Sequence, residues 1–600
     1  MLAFFVLLPL VVSAFIALLM RNSKGHMKAV KYIAFIASLI TLGLIAMLYL
    51  NYNNLNLNPV QTMTWFSFAG YAFTLTTSTL PLNMLLMGIV GIITPLIIIY
   101  SMGFMNAPSE QPRYYFELCL FAAAMLLFAM SGDFLTMFIG WELLGVTSYL
   151  LIGFWYQRDG PPQSARKAIT IILIGDILML VGMLIIWNAY HTFTFSLLLQ
   201  QASITNPAMG LALIFIMGAV FTKSAQFPFH EWLPDAMKGP TPVSAFLHSS
   251  TMVKAGVFLI AVLLPLFAAY HLLYLLLIFG IITSIIGVTN ALTEMNIKRI
   301  LAYSTIEDLG LMFIALGSGS LIATMILFVA QTFYKALLFM GAGAMITANN
   351  YEEDMEKMYN SPRYFTLFIA ILIGAASLAA LYPLSGFFGK AVVDLSVNNL
   401  AVYALLLLLQ FFSAIYIFRW VFAPLHRRTP EKKTIGARAN YKTLPKTMML
   451  PIYILALLVA VSGMAIYSFV PTYLKQGLAV AIGTPDILLS VTVFILGFFV
   501  ALGMFYFKDL AVMEGRRPAY KLLYNSILTN YFYGNLVKLS LLISSVLESI
   551  DNTLYGLIKE GATNVREFGN LIKKIETGNP NLYVAAFVVG LIIIVAVFIL

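Results

Sequence analysis

Residues 215–258 read FIMGAVFTKSAQFPFHEWLPDAMKGPTPVSAFLHSSTMVKAGVF, and this stretch decides the fold. It opens as an apolar helix with Lys223 inside it. It breaks at Gln226-Phe227-Pro228, crosses a short polar turn, and re-enters apolar sequence carrying His248 and Lys254. An ionisable residue inside a membrane segment is costly and persists where it faces protein or a water-filled interior, so each is a functional candidate. Non-helical backbone at membrane depth is tolerated only where it is buried in protein or lines a cavity. The stretch therefore predicts a polytopic membrane protein with an ion site beside a broken helix.

Composition agrees. The chain has 600 residues, 61% apolar and 10% charged, with a mean hydropathy of +0.91; a soluble domain is about 25% charged. The net charge of +10 implies loop lysines and arginines that set orientation, not a nucleic-acid partner. The one cysteine, Cys119, can neither ligate an iron–sulfur cluster nor close an internal disulfide. No CxxC, HExxH or dinucleotide fingerprint is present, so no cofactor and no metal is expected in this chain. Residues 1–20 lack the basic start and cleavage site of a signal peptide and read as a first membrane helix.

Taking about 20 apolar residues per span, the sequence predicts an all-α integral membrane protein of about 16 transmembrane helices: 1–20, 29–50, 80–103, 115–131, 133–155, 168–189, 207–227, 243–264, 271–293, 298–317, 321–348, 363–397 (broken), 400–423, 447–469, 487–507 and 582–600. Loops 21–28, 156–167, 294–299 and 424–446 are basic and fall on one side if the spans alternate, while 51–79 and 191–206 carry no charge. That places both termini outside a prokaryotic cytoplasmic membrane. The acidic loop 351–358 stands against this on the basic side, but acids weigh little in the rule.

A second break is expected at Leu381-Tyr382-Pro383-Leu384-Ser385-Gly386, just before Lys390, which lies 167 residues after Lys223. Matched breaks point to inverted repeats, read here as two five-helix units at 115–264 and 271–423. They are preceded by N-terminal helices (1–114) and followed by further helices at 447–507. From Leu536 apolar residues recur at three- and four-residue spacing, which makes 515–578 a long amphipathic helix. About 40 residues of it would form a rod near 60 Å. A last span, 582–600, anchors the end.

KSAQFPFHEWLPDAMKGPTPVSAFLHSSTMVKAG (223–256) resembles the signature of the antiporter-like membrane subunits of respiratory complex I and of multisubunit cation/proton antiporters. LIKKIETGNPNLYVAAFVVGLIIIV (571–595), with the lateral helix and final span, resembles the L-type, distal antiporter-like, proton-pumping member of complex I and related dehydrogenases. The resemblance implies a proton-translocating subunit of a complex I-type NADH (or other donor):quinone oxidoreductase. Flavin, iron–sulfur clusters and quinone would lie in partner subunits. The expected partners are other antiporter-like and membrane subunits clamped by the lateral helix, a hydrophilic redox arm, and lipid.

It also carries residues over, position by position. Its WE motif matches Glu142, in FIGWELLGVTSYLLIGFWY, and its KSAQ motif matches Lys223; an ion pair of the two would let withdrawal of the acid release the lysine's proton. The alternative for Glu142 is a carboxylate satisfied by Thr147 or Ser148. His248 is a relay between Lys223 and Lys254, or a satisfied structural histidine. Lys254 itself departs from L-type chains, which often carry threonine there. Lys335 matches the central lysine of the second unit, but Gln331 and Leu327 stand where the family often has histidines. Lys390 matches the lysine after the second break; Ala391 replaces the usual acid, and Asp394 one turn on is a substitute. Asp176, in LIGDILMLVG, resembles an acid beside the Glu–Lys pair, and Asp133 reads as a helix cap.

Glu307 and Asp308, in AYSTIEDLGLMF, stand where the family is generally neutral. They either form a second acid–lysine pairing with Lys335 or Lys390, or are an acid pair balanced by Lys298 and Arg299. The expected pathway is thus Glu142, Lys223, His248, Lys335 and Lys390, with Asp176, Lys254, Glu307 and Asp394 secondary. Rival readings are a sodium/proton antiporter subunit, a subunit of a membrane-bound hydrogenase or reduced-deazaflavin dehydrogenase, and a scaffold. The last gains nothing from five costly buried ionisable groups.

Overall fold

The computed structural model describes residues 2–507 except 23–26, 52–57, 69–70, 106, 108, 201–205, 356, 359–364, 427–443 and 478–480, and beyond them only positions within 538–570 and 583–590. Two compact units result, Met1–Tyr524 and Asn525–Leu600. In the second unit the described residues of 538–570 and 583–590 are helical and nearly all exposed. Most of the expected lateral helix and last span, and most of the basic loop 424–446, lie outside the described residues.

The first unit begins with α1 (Leu2–Phe5), α2 (Leu8–Leu19) and α3 (Val30–Asn51), then a hairpin of β1 (Val60–Phe68) and β2 (Tyr71–Ser78). Next come α4 (Pro81–Phe104), α5 (Gln111–Ala129), α6 (Phe134–Ile152), α7 (Pro161–Tyr190), α8 (Phe195–Gln200) and α9 (Pro207–Lys223). The first break holds α10 (Trp232–Asp235) and leads to α11 (Thr241–Ser249) and α12 (Ala255–Ala269). Then follow α13 (Leu273–Thr293), α14 (Ile297–Gly317), α15 (Leu321–Ala348), α16 (Phe365–Leu378), α17 (Ser385–Leu395), α18 (Leu400–His426), α19 (Lys446–Tyr473) and α20 (Thr484–Ala501). Among the described residues twelve helical segments, with α11 and α12 taken together as Thr241–Ala269, are long and apolar enough to cross a membrane; α2, α9 and α16 are apolar but shorter.

The hairpin corrects a purely helical expectation. Residues 60–78 pair antiparallel from Val60 with Ser78 to Phe68 with Tyr71, with an irregularity between Thr64 and Phe66. β-Branched and aromatic residues dominate both strands, and such side chains favour a pleated surface; the absence of charge alone had made this stretch a plain loop.

Both expected breaks are present and are built alike. Ala225 and Ala380 adopt left-handed φ values of 48° and 61°, and each is followed two residues on by a cis X–Pro bond. Gln226 N donates to Phe221 O at 2.9 Å, and Leu381 N to Ala376 O at 2.9 Å, 155 positions further along. Ala225 N to Thr222 O and Ala380 N to Ser377 O match at the same offset. The equivalence corrects the pairing of Lys223 with Lys390. Lys223 ends the helix before its break, whereas Lys390 lies on the helix after the second, and the position equivalent to Lys223 is Leu378.

A third interruption divides the expected continuous span 243–264, between α11 and α12. Thr251 leaves helical geometry at φ −130°, ψ −101°. The freed carbonyls are taken up locally: Thr251 Oγ1 donates to Phe246 O at 2.6 Å and Ser249 Oγ to Ala245 O. Serine and threonine hydroxyls satisfy broken helix backbone in this way inside membranes. The sequence clue was the run Ser249-Ser250-Thr251.

Small residues bring the helices together, as membrane helices require. A Cβ at Gly287 of α13 would stand 2.5 Å from Glu307 N, and one at Gly175 of α7 would run into Thr222 Oγ1, the neighbour of Lys223. α15 is buried along almost its whole length. It forms the axis against which the functional side chains converge.

Candidate functional site

The first cluster joins α6, α7 and α9. Lys223, fully buried at the C-terminus of α9, donates from Nζ to Trp141 O at 2.6 Å and lies 4.2 Å from the centre of the Trp141 ring. Trp141 Nε1 in turn donates to Asp176 Oδ1 at 2.7 Å. Glu142, half-buried, forms no salt bridge among the described residues. The anticipated Glu142–Lys223 ion pair is therefore not made in this structure, because the tryptophan beside Glu142 supplies the lysine's carbonyl and ring. Trp141 holds the lysine where Glu142 was expected to, and Asp176 holds the Trp141 indole. The signal was the tryptophan of the WE pair itself, read only as a flank.

The next two groups lie at the α11–α12 interruption. His248 is fully buried, with its ring 6.2 Å from those of Trp232 and Phe339, and neither nitrogen has a hydrogen-bond partner among the described residues. Lys254, also fully buried, donates to Phe328 O at 2.7 Å and Thr332 Oγ1 at 2.5 Å, both on α15. Thr332 precedes Lys335 by three residues, so the two share a helix face. Gln331, one turn before Lys335, has both amide atoms unpartnered among the described residues.

The second cluster is a buried quartet. Lys335 Nζ stands 3.1 Å from Asp308 Oδ2 and donates to Ser304 Oγ at 2.5 Å. Lys390 Nζ lies 3.3 Å from Glu307 Oε1 and 3.8 Å from Asp308 Oδ1. Tyr334 OH donates to Asp308 at 2.8 Å, Tyr416 OH to Glu307 at 2.5 Å, and Ser413 Oγ to Glu307. Two ammonium groups thus meet two carboxylates: both oxygens of Glu307 accept hydroxyls, while Tyr334 shares Asp308 Oδ2 with Lys335 and Asp308 Oδ1 has no hydrogen-bond partner among the described residues. Tyr416 and Ser413 are three residues apart on one face of α18. They were not singled out in the sequence, although two polar residues so spaced in an apolar helix were the available sign. Asp394, one turn after Lys390, makes no salt bridge among the described residues. Its chain neighbours Leu395 and Ser396, with Ser318, Ser320 and Asn398, line a cavity of about 300 Å³, although Asp394 itself does not.

Lys298 and Arg299 do not balance Glu307 and Asp308. Lys298 pairs with Glu353 at 2.5 Å, and Arg299 with Asp235 at 2.9 Å and Glu294 at 2.8 Å. Asp235 also takes Lys167 at 2.8 Å. The acidic loop 351–358 therefore supplies a partner to the basic corner it adjoins. Asp133 caps α6, accepting from Thr136 N at 2.6 Å. Among the described residues no group of three or more His, Cys, Asp or Glu is placed to hold a metal ion.

A membrane protein with buried lysines and acids strung between broken helices is of the antiporter-like class. Residues 131–417 match the family described as NADH:quinone oxidoreductase/Mrp antiporter, transmembrane. NADH-quinone oxidoreductase subunit L of Campylobacter jejuni is 34% identical over 416 residues, 68% of this chain and 69% of that one. The chain belongs to this family of antiporter-like membrane subunits. F(420)H(2) dehydrogenase subunit L of Methanosarcina mazei is 29% identical over 590 residues, 86% of each chain. In two other quinone oxidoreductase relatives the match spans only about half of the relative's length, 49% and 56%. The Mrp complex of Dietzia sp. shares the fold, with a TM-score of 0.70 at 23% identity over 100% of this chain and 63% of that one.

Proposed function

We propose that this chain is a proton-translocating membrane subunit of a complex I-type quinone oxidoreductase, taking no part in electron transfer itself. The observation that carries the reading is the buried Lys335–Asp308–Lys390–Glu307 quartet, joined through Thr332 and Lys254 to the α11–α12 interruption. A scaffold would keep no such assembly, since a packed apolar core of the same volume is as stable or more so.

Protons enter near Glu142 and Asp176, pass Lys223, His248 and Lys254 to Lys335 and Lys390, and leave past Asp394 and the cavity beside it. Buried polar groups with no partner among the described residues, such as His248, Gln331 and Ser224, support this order, because such groups are satisfied by ordered water. Gln331 orients water but does not titrate. The matched break geometry supports two inverted repeats at 115–264 and 271–423. The 16-span count, the lateral helix at 515–578 holding neighbouring subunits, the anchor at 582–600 and a prokaryotic membrane with both termini outside belong to the same reading. Flavin, iron–sulfur clusters and quinone lie in partner subunits. Relatives named for NADH and for F(420)H(2) support NADH or reduced deazaflavin as the donor, beside the membrane-bound hydrogenase alternative.

The second reading is a secondary sodium/proton antiporter subunit, favoured by Lys254 and by the shared fold with the Mrp complex. Extraction in mild detergent, mass spectrometry of co-purifying chains and an assay of electron transfer to quinone decide between them. Iron–sulfur and flavin subunits in the particle support the redox pump. Antiporter-like chains alone, with no flavin or iron, overturn it.

A further inference from the structure

Away from the charge chain, the ends of α2 and α5 and the turn after α6 enclose a cavity of about 430 Å³. Arg21, Arg113 and Arg158 line it, with Trp155, Tyr156 and a single carboxylate, Glu110. Its volume is within the range of small-ligand sites, about 300–1,000 Å³. Arg113 is fixed by Glu117 at 2.7 Å and lies over the Phe154 and Tyr156 rings at 5.1 and 5.0 Å. Arg158 stacks on Trp155 at 4.2 Å. Arg21 forms no salt bridge among the described residues and is exposed. With Arg113 paired to Glu117, Arg21 and Arg158 face the one lining carboxylate, Glu110, and this excess makes the cavity a receptor for an anion; guanidinium donors suit phosphate.

A second observation says what bears the phosphate. Leu8, Val12, Phe15 and Leu19 of α2 are 53%, 46%, 57% and 81% exposed, spaced four, three and four residues apart along one face. At 1.5 Å per residue that is an apolar track of about 16 Å. It ends two residues before Arg21. Tryptophan and tyrosine at the mouth are the residues that favour the headgroup level of a bilayer. An anionic site at the foot of a lipid-facing apolar track has the polarity of a phospholipid, headgroup at one end and acyl chain along the other.

We propose that this cavity binds the phosphate headgroup of an anionic phospholipid, whose acyl chain lies along Leu8, Val12, Phe15 and Leu19. The site rests on the membrane placement of the chain and not on the proton path, so it stands or falls separately from the pump. The test uses the whole complex in detergent, stripped of lipid, titrated with phosphatidylglycerol, phosphatidylcholine or inorganic phosphate. Thermal unfolding and native mass spectrometry are the readouts. Phosphatidylglycerol is expected to raise the unfolding temperature and to be retained as a bound lipid. The double substitution Arg21→Gln/Arg158→Gln, which spares the Arg113–Glu117 pair, is expected to weaken that binding by about tenfold or more. Arg21→Lys/Arg158→Lys, which keeps the charge, controls for assembly and should lose less. Equal binding of phosphatidylcholine, or undiminished phosphatidylglycerol binding in the glutamine variant, overturns the proposal. So does a full response to inorganic phosphate, which would mark a free-anion site. Failure of any added lipid to bind, with an acidic segment of another subunit found on Arg21 and Arg158 by cross-linking, would assign the cavity to a protein contact instead.

Discussion

Replacing Glu307 with glutamine tests the quartet most directly. The substitution keeps the side chain's size and one of the two acceptor oxygens that Tyr416 and Ser413 use, so one hydroxyl must turn to accept from the new amide, and it removes the charge facing Lys390 at 3.3 Å. Coulomb's law gives roughly 5 kcal/mol for two unit charges at that distance in an effective dielectric of about 20. Asp308, at 3.8 Å from Lys390, stays in place and recovers part of this. About 3 kcal/mol is the net expectation, at the low end of what breaking a buried pair costs. For a step that needs the Glu307–Lys390 charge separation, that slows the rate on the order of a hundredfold. The assay is proton uptake by proteoliposomes holding the whole complex, divided by electrons delivered to quinone, with assembly checked on native gels. Glu307→Gln should leave an assembled complex whose electron transfer continues or slows while its proton yield falls. Glu307→Asp should keep a measurable part of it. A Glu307→Gln complex that translocates at the wild-type ratio refutes the argument, and Glu307 would then be a structural acid.

Three further changes probe other points of the path. Trp141→Phe keeps the backbone carbonyl that holds Lys223 but removes the 2.7 Å bond to Asp176. The buried carboxylate loses a donor, so stability should fall by about 1–3 kcal/mol in denaturant titrations. His248→Leu should stop translocation with little change in thermal stability, because neither ring nitrogen has a partner to lose among the described residues, whereas His248→Gln should retain part of the activity. Gly287→Ala presses a methyl against the backbone nitrogen of Glu307 at 2.5 Å. It should cost about 1–3 kcal/mol by overpacking, and proton yield should drop with it, since the quartet's acid moves with its helix.

Much of this architecture was legible because membranes simplify the reading. An apolar run of the right length has one use, and an ionisable residue within it has few, so the helices, both breaks and all four central lysines stood out. Three things did not. The hairpin at 60–78 carries its signal in alternation and β-branching, which a hydropathy scan does not weigh. The α11–α12 interruption has no proline or glycine; three consecutive hydroxyl residues make it, and hydroxyls pass as ordinary in a helix. Glu142 and Lys223 looked like partners because both lie in neighbouring spans, but an acid and a base at one depth can face different ways. Only side-chain direction shows that Trp141 stands between the lysine and the carboxylate of Asp176.

The quartet and the Lys254 site also differ in what a lost lysine leaves behind. Lys254 rests on a carbonyl and a hydroxyl, and Thr332 Oγ1 keeps a second bond to Phe328 O at 2.9 Å if the lysine goes. Lys254→Met should therefore cost about 1–2 kcal/mol, the worth of the hydrogen bonds. Lys390→Met strands Glu307 and leaves Asp308 to Lys335 alone. An unpaired buried charge costs about 3–5 kcal/mol, so the complex should unfold or fail to assemble at temperatures where Lys254→Met survives. Combining Lys390→Met with Glu307→Gln removes both charges, and stability should return to within about 1 kcal/mol of the wild type, since replacing a whole buried pair is near neutral. Translocation should not return with it. Recovery of both would make the pair a structural brace, and equal losses for Lys254→Met and Lys390→Met would show that the quartet's charges do not depend on one another.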